Sequence, residues 1–582
     1  MRAGNESRND GKEIESIGRL DRRGFLGGAA GLGAASVLVG ASVRAQETRT
    51  AIGPSTAPCD DDAIGPLKPQ KRRLRAFHVR REAALEHLHA KRVCHQNNGD
   101  DDLYADRRGS YSKGLQHDAM GEVVPASYAS MIAALKSGEP ADFEAILLGN
   151  PGGGGPPAGI TPVHRMINPQ AGLAFDMEGA DPHDLLLAPA PAFKSAWQAG
   201  EIVENYWMAH LRDVPFRRYA TDVLAAAAVA DLSALSDFRG PKEGGVVTPQ
   251  TLFREGFPGC TVGPYLSQFF YLPQPFGAQD IDPRAHTAAP GIDYLCSQAE
   301  WLHAQDGHNP PSGVLPGGLV FLRNGRDLGQ WVHVDVLFQA YFQAFLALSA
   351  LGVPANPGNP YNGSASQVPF GTMGGPNVAA VLCEVSTRAL KAVWFQKWFV
   401  HRRLRPEVMG GRIHVHLTGQ KAYDIHPDAL GSDGVAEAFS RFGTYFLPMA
   451  FPEGSPAHPA YGAGHATVAG ACVTVLKALF DCDRAATEFF TPLEPTDDGS
   501  TTVPYGGGDV GAMTIEGELN KLGANVAIGR NQAGVHWRTD GTESMRLGEE
   551  VAIHVLRDHK GTFNEDYPGF SFRRFDGTPV TV

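Results

Sequence analysis

The chain has 582 residues, 43% hydrophobic and 20% charged, with a formal net charge of −12. That is a globular composition with ample core material, and its acidic balance excludes nucleic-acid phosphates as the main partner. No apolar run is long and pure enough for a membrane span, and the seven cysteines show no CxxC or Cys/His spacing, so neither zinc nor a disulfide framework is signalled.

Residues 1–45 read as a targeting segment. Arg22 and Arg23 precede Phe25 and Leu26, a Gly/Ala-rich apolar core follows, and Val43-Arg44-Ala45 offers a cleavage site. This is the pattern of a twin-arginine signal, which exports a folded protein from a bacterial cytoplasm to a periplasmic or extracellular location. Residues 46–70 are polar and Pro-rich, the composition of a disordered linker. Beyond them, apolar residues three to four apart predict helices at 74–96, 126–137, 192–211, 218–236, 331–352 and 376–400. Further helices are predicted at 464–480, 515–530 and 541–557. Long Gly/Pro loops such as "NPGGGGPPAG" (150–159) separate them, and strand patterns are few and short. The expected fold is all-α: helical bundles with long loops, as an N-terminal helical part (71–370) and a C-terminal helical bundle (371–582). No clean linker divides the two.

Three stretches of the C-terminal bundle carry candidate chemistry. In "WFQKWFVHRRLRPE" (394–407), Lys397 lies near a helix end, and Pro406 pushes Arg405 out of helical geometry. Their Cα atoms would be about 12 Å apart along helical turns, a span two long side chains can close on one small anion. Arg402 and Arg403 read as surface or structural ion-pair residues. In "EGSPAHPAYGAGHATVAGACVTVLKALF" (453–480), a loop containing His458 delivers Gly464 and His465 to a helix N-terminus, where free N–H groups favour anions. In "AIGRNQAGVH" (527–536), Arg530 and His536 end a helix.

Lys397, Arg405, Gly464, His465, Arg530 and His536 supply donors and positive charge. No Asp or Glu accompanies them within the motifs, so a divalent-cation site is disfavoured and an oxyanion favoured. Each residue alone is commonplace; the ordered set is what argues for a site.

The same stretches resemble the vanadium-dependent haloperoxidases, most closely the red-algal bromoperoxidases and their bacterial relatives. The shared wording includes "VHRRLRPE" (400–407), "EGSPAHPAYGAGHATVAGACV" (453–473), "GELNKLGANVAIGRNQAGVH" (517–536) and "FDGTPVTV" (575–582), and more weakly "NNGDDDLY" (97–104) and "KGLQHDAMGEV" (113–123). The resemblance implies vanadate as cofactor, with His536 as the metal ligand. Lys397, Arg405, Arg530 and the Gly464 N–H would hold its oxygens, and His465 would be the acid–base residue. His458 matches a halide-pocket histidine, and Trp394 lines the same pocket where red-algal enzymes have Arg. Ala463 replaces the family's usual vanadate-binding serine. No carboxylates mark a calcium site near 358–370, so calcium is not favoured. The implied reaction is oxidation of bromide, and of iodide, by hydrogen peroxide to a hypohalous acid equivalent. That product halogenates small organic acceptors, and the implied assembly is a homo-oligomer, a dimer or a dodecamer. The alternatives are a phosphohydrolase of the same superfamily with His536 as nucleophile, and a non-catalytic oxyanion-binding helical protein.

Overall fold

The computed structural model describes residues 69–150, 165–315 and 318–582. The twin-arginine segment and nearly all of the 46–70 linker lie outside the described residues. The site and its framework belong to one unit, residues 75–153 and 163–582.

Helices of ten or more residues among those described are α1 Pro69–Leu88, α2 Pro125–Ser137, α3 Ala196–His210, α4 Val223–Ala234, α5 Gly325–Val334 and α6 Gln339–Ala350, followed by α7 Gly375–Phe395, α8 Pro406–Leu417, α9 Asp433–Phe442, α10 Gly464–Leu479, α11 Ile515–Gln532 and α12 Arg538–Thr562. The described strands form three two-stranded antiparallel hairpins. The protein is mainly helical, as its periodicity predicts.

Several helix starts are set by side-chain caps. Ser195 Oγ accepts the Gln198 N–H before α3, Asp222 accepts two N–H groups before α4, and Thr514 Oγ1 accepts the Gly517 N–H before α11. α4 therefore begins at 223, later than the 218 expected from the pattern. The 74–96 pattern is helical only to Leu88.

α10 is the centre of the C-terminal bundle, with α7, α11 and α12 packed around it. Small residues let the backbones touch. A Cβ on Gly548 would lie 2.0 Å from the Thr467 carbonyl oxygen, and one on Gly470 would lie 2.0 Å from that of Met545. This close crossing brings the turn before α12, which carries His536, beside the start of α10, which carries Gly464 and His465.

Two departures from the predicted helices shape the site. The expected helix 331–352 is two helices, α5 and α6, meeting at 101°. The Val332 carbonyl, which a continuing helix would need, instead accepts a hydrogen bond from Arg530 Nη1 at 2.8 Å. The expected helix 376–400 is regular only to Phe395, and Gln396–His401 continue as a π-helical turn. Arg402 leaves that turn at φ 41°, and Arg405 (φ −84°, ψ 155°) caps α8 ahead of Pro406.

Candidate anion-binding active site

Lys397, on the π turn, donates from Nζ to His458 Nδ1 at 2.9 Å. Arg405 donates from Nη2 to the same nitrogen at 2.8 Å, and from Nη1 to His536 Nε2 at 3.0 Å. The His458 and His536 ring centroids are 6.4 Å apart. The Trp394 ring lies 5.0 Å from that of His458 and 4.7 Å from Lys397 Nζ, with its own Nε1–H donated to the Ile167 carbonyl. A Cβ on Gly464 would meet the Trp394 ring at 3.2 Å, which puts the α10 N-terminus against the same wall. Arg530 is near enough for its charge to depress the affinity of His458, His465 and His536 for protons. The structure thus brings together all eight residues expected from the sequence, from three segments.

Burial is nearly complete. Lys397 and Arg405 have no exposed surface, and His458, Arg530 and His536 retain only a few per cent. His465 is the most exposed of the three imidazoles, with 17% of its side chain exposed, and Trp394 is also only partly buried. Burial, reinforced by the Arg405 charge, holds Lys397 well below the usual ammonium range. Burial also brings both Arg405 and Arg530 down to about 10. Burial and then the neighbouring cations push His536 and His458 well below 6.5, so both imidazoles are neutral.

Carboxylates do accompany the motifs, contrary to the expectation from the three stretches, but none pairs with the buried cations. His536 Nδ1 donates to Asp540 Oδ2 at 2.8 Å, and His465 Nε2 donates to Asp335 Oδ1 at 2.9 Å. Each carboxylate orients an imidazole. The tautomer this gives His536 leaves the Nε2 lone pair free to accept from Arg405 or to bind an electrophilic centre. Asp540 had a local signal, His-x-x-x-Asp across the first turn of α12. Asp335 had none, because it sits in the break between α5 and α6.

The loop carrying His458 is tied to the first stretch through Lys113, a residue outside all three. Lys113 Nζ, fully buried, donates to Glu407 Oε1 at 2.7 Å and to the Glu453 carbonyl at 2.6 Å. Glu407 Oε2 accepts the Ser455 N–H at 2.6 Å. Gly454 (φ 67°) passes so close that a Cβ there would lie 2.1 Å from Glu407 Oε2. Glu453 in turn holds His333 Nε2 at 2.6 Å. Arg402 and Arg403 are ion-paired as expected, to Asp101 and to Glu201 with Asp540, but Arg403 is buried and not at the surface.

The donor set fits an oxyanion. Lys397, Arg405 and Arg530 bond among the described residues only to carbonyls and imidazoles, and Arg530 Nε is buried without a partner. No side chain caps α10, whose N-cap is Ala463. Three buried cations and a free helix N-terminus with no carboxylate of their own are what a multiply charged oxyanion would neutralise.

Comparison with known proteins finds relatives over most of the chain. The profile of the VCPO second helical-bundle domain matches residues 381–565. A vanadium-dependent bromoperoxidase of Ascophyllum nodosum is 34% identical over 547 residues, covering 90% of this chain and 95% of that one. One of Corallina pilulifera is also 34% identical, covering 81% and 90%. The homohexameric structure of the second vanadate-dependent bromoperoxidase from A. nodosum superposes with a TM-score of 0.82 at 29% identity, covering 95% of each chain.

Proposed function

Because the chain belongs to the vanadium-dependent bromoperoxidase family, we propose that this site holds vanadate and oxidises bromide with hydrogen peroxide. The supporting observation is the hydrogen-bonded chain Lys397–His458–Arg405–His536, buried inside an acidic protein. His536 Nε2 would be the metal ligand, held by Asp540. Lys397, Arg405 and Arg530 would hold the oxygens together with the Gly464 N–H. Vanadate, when bound, supplies a Lewis-acidic centre that activates peroxide toward halide without changing oxidation state.

The chain's own groups do the rest. His465, the most exposed of the three imidazoles, exchanges protons with the outside; burial lowers its proton affinity, and Asp335 fixes its ring and offsets part of that lowering. The fixed charges of Lys397 and Arg405 need no reorganisation when negative charge shifts during the reaction. Trp394 and His458 form an apolar and imidazole wall for the halide, bromide or iodide. The hypohalous acid equivalent leaves to halogenate small electron-rich organic molecules. We also read the protein as exported by the twin-arginine route to a periplasmic or extracellular location in a bacterium. It would be a homo-oligomer, with a hexamer like that of the A. nodosum structure to be tested against dimer and dodecamer by light scattering.

The test is paired. Purified protein with vanadate, peroxide and bromide should brominate a phenol-red-type dye and should hydrolyse nitrophenyl phosphate poorly. His536→Ala should lose dye bromination and vanadium retention together. Phosphatase activity without bromination would overturn the reading in favour of a phosphohydrolase.

A further inference from the structure

Arg403, like Arg405, joins all three anion-binding segments, but it touches none of the anion-facing atoms. It lies between Lys397 and Arg405 on the first segment. Its carbonyl accepts the Ala460 N–H at 3.1 Å, two residues past His458 on the second. Its guanidinium donates from Nη1 to Asp540 Oδ1 at 2.9 Å, on the third, while the other oxygen of Asp540 accepts His536 Nδ1. The guanidinium carbon also lies 4.7 Å from the centre of the Trp537 ring, next in sequence to His536.

The far side of Arg403 is equally fixed. Nη2 donates to Gln198 Oε1 at 2.6 Å and to Glu201 Oε2 at 2.8 Å, both on α3. Glu201 Oε1 accepts the N–H of Thr539, the residue before Asp540, at 2.8 Å. Arg403 is 1% exposed, and Asp540 and Glu201 are as deeply buried. Asp540 Oδ2 also accepts the Trp537 N–H at 3.2 Å, so His536 and the backbone share one oxygen, and among the described residues Arg403 alone holds the other. Donors on both oxygens leave the carboxylate one orientation.

We propose that Arg403 is a positioning residue for the metal ligand: through Asp540 it fixes the ring orientation of His536 and keeps its proton on Nδ1. The task needs arginine, because a planar fork can reach Asp540 on one side and Glu201 with Gln198 on the other, whereas a lysine ammonium reaches one of them. This inference rests on the vanadate reading only for the consequence at the anion site.

The test uses Arg403→Lys, which keeps the buried charge, and Arg403→Met, with intact full-length protein and two readouts. The first is the dissociation constant for vanadate, with inorganic phosphate as a second probe. The second is the 15N spectrum of histidine-labelled protein without any anion, with His536 assigned by its loss in His536→Gln. Wild type is expected to show the Nδ1-protonated tautomer alone. Arg403→Lys is expected to mix the two tautomers and to weaken vanadate about tenfold or more, in the range measured for outer partners of metal-bound histidine. Unchanged nitrogen shifts and affinity, with only a lowered Tm, would overturn the proposal. Should Arg403→Met fail to fold, Arg403→Lys decides. A wild type that binds no vanadate would sink the functional reading instead, and the anion-free spectra would still decide the role of Arg403.

Discussion

His465 donates from Nε2 to Asp335 across 2.9 Å, although 130 residues separate them in the chain. Asp335 is available because α5 stops at Val334, and α5 stops where Arg530 takes the Val332 carbonyl. One arginine of the cationic set therefore also helps to create the partner of the acid–base histidine. Asp335→Asn keeps an acceptor but removes the charge that favours protonated His465. Turnover at saturating bromide and peroxide should fall on the order of tenfold to hundredfold, part of the gain general acid–base groups supply. Vanadate affinity should change little, so a large loss of vanadate binding would assign Asp335 a different task.

Ala463 caps α10 without a side-chain oxygen, and its N–H is donated to Ser544 Oγ at 2.8 Å. Ala463→Ser would supply an N-cap hydroxyl, worth about 0.5–2 kcal/mol in helix stability. If the hydroxyl turns to a charged ligand instead, the gain is about 1.5–3 kcal/mol in binding. Urea unfolding with and without vanadate separates the two. We expect tighter vanadate binding, by about tenfold or more on that scale.

Lys113 and Glu407 form a fully buried pair that holds the loop carrying His458. Lys113→Met leaves Glu407 unpaired and should cost about 3–5 kcal/mol. Lys113→Met with Glu407→Gln should recover part of it, because the uncompensated charge is gone. Chemical unfolding of the wild type, both single variants and the double variant measures the coupling, and additive losses would show that the charge pairing is irrelevant.

His401, buried beside Tyr461 with neither ring nitrogen bonded, is depressed from 6.5 to about 3 by burial and then by the His95, Arg402 and Arg403 charges. Below pH 6.5 the unfolded chain takes up a proton that folded His401 refuses. Its contribution to stability is therefore complete above that pH and is lost as the pH falls toward 3. The slope is up to about 1.4 kcal/mol per pH unit. His401→Phe should flatten the decline of unfolding free energy between pH 6 and pH 4.5 by roughly that slope. An unchanged slope in urea titrations would mean that folded His401 protonates freely.

Arg22→Lys with Arg23→Lys should leave the protein in the cytoplasm of an expressing bacterium, folded and active. Fractionation with an activity assay reads this directly, and secretion at the wild-type level would remove the twin-arginine assignment.

Lys397, Arg405, Gly464, His465, Arg530 and His536 were legible in the sequence because each lies in a short Gly/Pro-punctuated stretch. In such a stretch, neighbouring residues alone fix which side chains a turn presents. Pro406 set the geometry of Arg405, and the loop up to Gly464 placed the free end of α10. Asp335, Lys113 and the reach of Arg403 were not legible, because each acts on a residue more than a hundred positions away. Desolvation decided the rest. Only the packed structure strips water from three cations and from His458 and His536, pairs His465 and His536 with carboxylates, and leaves the cations without any. No local spacing carries that information, since it depends on which distant segments exclude solvent together.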